Sequence, residues 1–359
     1  MKMMANQTVE ANQIVARGKY TREEIFSQPE AWEQAIEVLK EQARAIQVYS
    51  KLDEYQQVIF TGCGSTYYLS RAAAAQFQVL TGHAARGLPA SELWLSPKAN
   101  YIPNATILLV AISRSGETSE TLQACNLFRA NRQGRIITLV CNPGSALTSL
   151  GDLNLVFPSG MEQSIAQTRA FSTLFFSTVG LSEIWGEGRF KLDQMYSLPR
   201  VGRQIIDNYY PLAAQIGKNT GIDRIYFLGS GERFGLACEL SLKMKEMCLT
   251  HSESFHFMEF RHGPKAMVNG NTLVVGLVSE SNAFYESAVL KDVQNLGAET
   301  VSIGEHNTDV SFSSGIEEVY RNVLYLPFGQ MMAFERAMAK GLDPDHPTNL
   351  DAVVKLTKM

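Results

Sequence analysis

The sequence predicts an α/β protein made of two tandem units, each a parallel sheet between helices. Three observations carry that prediction. Short apolar runs alternate with longer segments whose apolar residues recur every three or four positions, the pattern of strands feeding helices that cover both faces of a parallel sheet. A Gly-x-Gly turn follows an apolar run twice, at Gly62/Gly64 and at Gly229/Gly231. A Ser-x-Ser turn follows a further apolar run twice, at Ser113/Ser115 and at Ser279/Ser281. One such match arises readily by chance; both in the same order, each behind a strand, indicate duplication of one unit.

Taken in order, residues 21–49 read as a helix with Trp32, Ile36, Leu39, Ala43 and Ile46 on one stripe. A short buried strand at 58–60 leads into the first Gly-x-Gly turn. The small residues 72–75 continue in a helical pattern that suits close packing on a sheet. Strands follow at 106–112 and 136–140, with a helix over 119–130 between them. Residues 197–220, with Val201, Ile205, Ile206, Leu212 and Ile216 in register, read as a helix joining the halves. The second unit repeats the order with a strand at 225–228, a helix over 234–249 and a strand at 272–278. The expected division is a helical segment at 1–50, a first unit at 51–196, a second at 197–342 and a tail at 343–359.

Composition narrows the function classes. Across 359 residues, 45% are hydrophobic and 19% charged, enough for a large core. A net charge of -4 argues against nucleic acid or an anionic membrane as the main partner. The five cysteines (Cys63, Cys125, Cys141, Cys238, Cys248) form no CxxC pair, which fits reduced thiols in a cytoplasm. Residues 1–20 lack the apolar core of a signal peptide, and the apolar runs are too short and interrupted to span a bilayer. A soluble cytoplasmic protein is therefore expected.

The stretch Ser113-Arg114-Ser115-Gly116-Glu117-Thr118 lies between a strand and a helix. Backbone N–H groups and the dipole at a helix start favour an anion. Three hydroxyls add donors, and Gly116 permits close approach. The competing reading is a helix cap. A Rossmann dinucleotide turn is disfavoured at Gly62-x-Gly64, since Tyr67 stands where the third glycine belongs. Ser65 and Thr66 suit a phosphate monoester better. In the second half the matching turns carry Glu232 and Glu280, whose carboxylates repel phosphate, so loss of the anion site is expected there. That half offers Glu239, Lys243 and Glu246 instead, spaced to share one helix face. The helix begins at a Gly-x-Gly turn and is otherwise apolar, which argues against an ordinary surface ion pair. Downstream, His262 is followed by Gly263-Pro264, a fixed turn that makes it an acid–base candidate. His251 and His256 share no helical face, so no metal site is expected, and no Gly-x-Ser-x-Gly elbow supports a serine nucleophile.

Together these motifs resemble the sugar isomerase (SIS) domain family. The resemblance rests on 62–66, 113–118, Thr168-Arg169-Ala170-Phe171, the span from Glu239 to Glu246, and Arg261-His262-Gly263-Pro264. Within the family it points to the isomerase half of glucosamine-6-phosphate synthases and to SIS-type glucosamine-6-phosphate deaminases. It implies two tandem SIS domains, a homodimer, a 6-phosphorylated sugar or amino sugar as substrate, and no cofactor. It implies that Ser65, Thr66, Ser113, Ser115 and Thr118 hold the phosphate, with Arg114 inside the loop. Cys63, Gly64 and Ile165 line the sugar site. Glu246 is the base moving a proton between C1 and C2, Lys243 and Glu239 stand beside it, and His262 opens the ring from the neighbouring subunit. Three departures stand out. No N-terminal cysteine nucleophile is present, so glutamine is not expected as nitrogen source. Arg114 replaces a glutamine, either strengthening phosphate binding, reading an extra anionic group or facing solvent. The tail lysine expected two residues after Asn349-Leu350 is Ala352, and the nearest is Lys355. The expected reaction is the isomerising deamination of glucosamine 6-phosphate, with a deglycase, a simple aldose–ketose isomerase and a non-catalytic sugar-phosphate sensor as alternatives.

Overall fold

The computed structural model describes residues 17–186 and 192–356. The first sixteen residues of the expected helical segment and the last three of the tail lie outside them. The helix expected over 21–49 is two, α1 (Lys19–Phe26) and α2 (Gln28–Gln47). The break falls at Ser27, whose Oγ donates to the Glu23 carbonyl at 2.7 Å, and Pro29 sits in the first turn of the next helix. The apolar stripe of α2 is buried at Trp32, Ile36, Leu39 and Ile46. It packs on α5, described below.

The first sheet comprises β1 (Gln57–Gly62), β2 (Ala85–Pro89), β3 (Thr106–Ser113), β4 (Gln133–Val140) and β5 (Leu153–Val156), in spatial order β2-β1-β3-β4-β5, all parallel. The helices α3 (Ser65–Thr81) and α4 (Ser119–Asn131) follow β1 and β3. Every residue of β1 is buried, which explains why its sequence shows no alternation. Next comes α5 (Arg169–Trp185), buried from Ala170 to Trp185 because it lies between layers. The bridge is α6 (Leu198–Lys218).

The second sheet comprises β6 (Arg224–Leu228), β7 (His251–Phe255), β8 (Thr272–Leu277), β9 (Glu299–Gly304) and β10 (Val310–Ser311). Its order β10-β9-β8-β6-β7 repeats the first, read from the other edge. Its helices are α7 (Arg233–Cys248), α8 (Ala283–Asn295) and the C-terminal α9 (Leu326–Ala339). In both sheets the order reverses between the first strand and the third. Loops leaving those two strands flank the crevice where doubly wound sheets bind ligands. The topology therefore sets the Gly-x-Gly and Ser-x-Ser turns side by side, once per sheet.

One core joins the halves, running from Phe60 and Phe77 through Phe171 and Phe175 to Phe227, Leu240 and Met332. At one close crossing α7 packs on α3. A Cβ on Gly235 would lie 2.6 Å from both the Ala72 nitrogen and the Tyr68 oxygen, so only glycine allows the two backbones this close. Among the described residues no helix is long and apolar enough to cross a membrane.

Candidate active site between the two sheets

The turn after β1 is built on Gly64, whose φ of 55° and ψ of -123° is open to glycine alone. The Thr66 hydroxyl closes this turn: it accepts from the Cys63 N–H at 2.9 Å and donates to the Cys63 carbonyl at 2.9 Å. Ser65 is buried and its hydroxyl points across the interface. The Cys63 thiol lies 3.4 Å from Thr121 Oγ1, and burial pushes it above its ordinary range.

In the neighbouring turn, Ser113 Oγ accepts the Gly116 N–H at 3.0 Å and Ser115 Oγ accepts the Glu117 N–H at 3.1 Å. Thr118 is the N-cap of α4 but makes no side-chain capping bond. Two hydroxyls thus shape the loop, and the Thr118 hydroxyl stays uncommitted at the helix start.

Across the interface, α7 places Glu239, Lys243 and Glu246 together, as their spacing predicts. Lys243 is 0% exposed in its side chain, and so is Glu239; Glu246 keeps 19%. The ammonium donates to Glu246 Oε2 at 2.5 Å and to Ser65 Oγ at 3.2 Å, and lies 3.2 Å from Glu239 Oε1. This is no surface ion pair. Burial pushes Glu239 up to about 8, with Lys243 opposing and Glu246 reinforcing the shift. Burial works against the Lys243 ammonium, but the two carboxylates outweigh it and hold its pKa above the ordinary value. Glu246 is the member open to the crevice, and Lys243 ties it to the Ser65 turn.

Arg114 does not face solvent. Its guanidinium is buried and donates to the Ser164 and Ile165 carbonyls at 3.0 Å each and to the Ala352 carbonyl at 3.1 Å, with Glu162 at 3.7 Å. It clasps the 162–166 loop and the tail to the Ser-x-Ser turn. The tail continues over the start of α4: the Ser119 N–H donates to the Val354 carbonyl at 3.4 Å, and the Leu356 N–H to Ser119 Oγ at 3.2 Å. Lys355, between them, therefore runs beside the loop, while Ala352 marks the clasp. Replacing Arg114 by Gln is expected to remove charged hydrogen bonds worth about 1.5–3 kcal/mol each. A tail cut faster by protease after residue 350 would register it.

Several residues here carry no sequence signal. Glu24 on α1 accepts from the Gln163 N–H at 2.6 Å and from the Ser164 hydroxyl, holding the same loop from behind. Asp345 accepts from the Thr21 N–H and hydroxyl at 2.7 Å each, while its carbonyl accepts the Ile165 N–H at 3.1 Å. Burial, then the neighbouring Glu162 carboxylate, push Glu24 up to about 7 from 4.5. Folding therefore favours its protonated form. The stability it contributes is full below about 4.5 and is lost as pH rises through about 7. Glu24→Gln is expected to flatten that slope in denaturant titrations across this window; an unchanged slope would remove Glu24 as its source.

His262 stands on the turn after a short helix at Phe257–Phe260, where Gly263 adopts φ 123°. The side chain is exposed, and its imidazole makes no hydrogen bond or ion pair among the described residues. Among those residues no group of three His, Cys, Asp or Glu is placed to hold a metal ion.

The second unit corrects one expectation. Glu280 does not occupy its turn but reaches Arg321 Nη2 at 2.7 Å, and Glu232 pairs with Arg233 Nη1 at 3.2 Å. The turn's backbone donors are intact and already hold a carboxylate, that of Glu318.

Fold and site define a tandem α/β protein in which hydroxyl-rich turns of one unit meet a buried Glu–Lys–Glu cluster from the other. A family model described as SIS domain matches residues 51–181 and 220–313, one segment over each sheet, and the chain belongs to the SIS domain family. It is 30% identical over 358 residues to a glutamine–fructose-6-phosphate aminotransferase (isomerizing) of Helicobacter pylori, covering 92% of this chain and 58% of the relative. The Pseudomonas aeruginosa protein of the same description is 28% identical, with coverages of 95% and 60%. The chain thus spans less than two thirds of these curated relatives. Among solved structures, the glucosamine-6-phosphate deaminase of Thermotoga maritima superposes with a TM-score of 0.76 at 27% identity, over 90% of this chain and 100% of that one. The tagatose-6-phosphate ketose/aldose isomerase of Escherichia coli shares the fold, with a TM-score of 0.82 at 22% identity over 91% of this chain and 95% of that one.

Proposed function

We propose that this chain is an enzyme that isomerises and deaminates glucosamine 6-phosphate, giving fructose 6-phosphate and ammonia. The single observation that carries the reading is the Lys243 bridge, 2.5 Å from Glu246 and 3.2 Å from Ser65, which fixes a partly exposed carboxylate beside the hydroxyl-rich turns. Ser65, Ser113, Ser115, Thr118 and the α4 N-terminus hold the phosphate and so orient the carbon chain. The Thr66 hydroxyl keeps the turn closed. His262 opens the sugar ring held by a second copy of the chain, for which its exposed position leaves it available. Glu246 takes the C2 proton of the open-chain aldehyde and returns it to C1, leaving an imine at C2. Water adds to that imine and ammonia departs. Lys243 offsets the charge that develops on the enediol-type intermediate. Cys63, Gly64 and Ile165 line the sugar, and Glu239 supports Lys243.

The likeness to the Thermotoga maritima deaminase, whose whole length this chain covers, supports the deaminase over the synthase reaction. The tail also supports it, because Ala352 stands where the resemblance calls for a lysine. The deglycase alternative asked Arg114 to meet an extra carboxylate, and both its Nη nitrogens already donate to carbonyls. The test is an assay of glucosamine 6-phosphate that follows ammonia and fructose 6-phosphate together. Equal amounts of both are expected. Ketose without ammonia would convert the reading to a simple isomerase, and binding without any product to a sensor.

A further inference from the structure

The loop Ser279–Asn282 repeats the geometry of Ser113–Gly116: the Asn282 N–H donates to Ser279 Oγ at 2.9 Å, as the Gly116 N–H does to Ser113 Oγ at 3.0 Å. In the second unit this cradle is occupied. Glu318, from the irregular stretch before α9, accepts the Glu280 N–H on Oε1 and the Ser281 N–H on Oε2, each at 3.2 Å. Arg233 Nη1 donates to the same Oε1 at 2.9 Å. The Arg233 side chain is 4% exposed, and its Nε is buried without a hydrogen-bond partner. A buried cation and two backbone donors thus converge on one carboxylate, supplied from 37 residues along the chain.

We infer that the 279–282 loop is an oxyanion site filled in cis by Glu318, and that its surroundings select a single carboxylate over a phosphate dianion. Acidic groups border it on several sides. Glu232 lies 3.2 Å from Arg233 Nη1, Glu286 accepts the Ser279 N–H at 2.6 Å, and Glu280 and Glu305 both lie on Arg321. A second negative charge on the occupant would face these groups at short range. The duplicated turn of the second unit is thus closed from within, whereas its counterpart at 113–116 is the proposed phosphate loop.

Removing the side chain should open the site. Glu318→Ala is expected to melt below wild type and to recover with added formate in a saturable way, while wild type shows only the response that chloride gives at equal ionic strength. Phosphate should recover the variant less well than formate. Glu318→Gln keeps the volume but turns an amide nitrogen toward backbone donors; it should melt below wild type and gain nothing from formate, because the cradle stays blocked. Formate and chloride acting alike on the alanine variant, or a glutamine variant as stable as wild type, would overturn the inference. Neither measurement involves sugar or turnover, so the outcome is independent of the proposed reaction.

Discussion

Glu246→Gln is expected to lower turnover of glucosamine 6-phosphate by about 10²–10⁴, the range lost when a positioned acid–base group is removed. The substitution is isosteric, and Glu246 is 19% exposed, so the fold should tolerate it. Sugar-phosphate affinity should stay near wild type, because the hydroxyls and the α4 N-terminus are untouched. A loss confined to kcat separates proton transfer from binding. Wild-type turnover in this variant would remove Glu246 from the reaction and with it the proposed chemistry.

Lys243→Met is expected to destabilise the protein by about 3–5 kcal/mol, the cost of stripping one partner from a buried ion pair. The ammonium donates to Ser65 Oγ from α7, so the substitution also loosens the turn. The loss should depend on pH. Burial already pushes Glu239 up to about 8, and removing the ammonium, which opposes that shift, leaves the carboxyl holding its proton more firmly. A raised pKa contributes stability that is present at low pH and lost as pH rises through it, so the variant should be weakest in alkaline solution. Adding Glu239→Gln should restore much of the stability without restoring turnover, a coupling that a double-mutant cycle reads directly. A single variant as stable as wild type at every pH would mean that the cluster holds no buried charge.

The features legible in the sequence were those that local spacing encodes. Steps of four and three placed Glu239, Lys243 and Glu246 on one face of α7, and the repeated turns announced two sheets of the same order. What stayed hidden depends on chain partners far apart. Arg114 meets carbonyls 50, 51 and 238 residues away, so nothing local distinguishes a clasp from an anion ligand or a solvent-facing side chain. Glu318 lies outside regular structure, and no period marks it. The acidic turn of the second unit suggested a lost anion site. The backbone donors survive there because the strand–turn–helix geometry supplies them whatever the side chains are. The break at Ser27 lies ahead of the apolar stripe, which starts at Trp32, so that stripe does not report it.

In the proposed reaction Glu246 moves a proton between C2 and C1 of a sugar whose phosphate is held by the other unit. Glucosamine 6-phosphate deuterated at C2, followed by nuclear magnetic resonance, tests it most directly. The wild-type protein is predicted to break the C2–D bond, to place a hydrogen isotope at C1 of fructose 6-phosphate and to release ammonia in equal amount, while Glu246→Gln leaves the label at C2. A wild-type protein that binds the sugar phosphate and never breaks that bond would contradict the account.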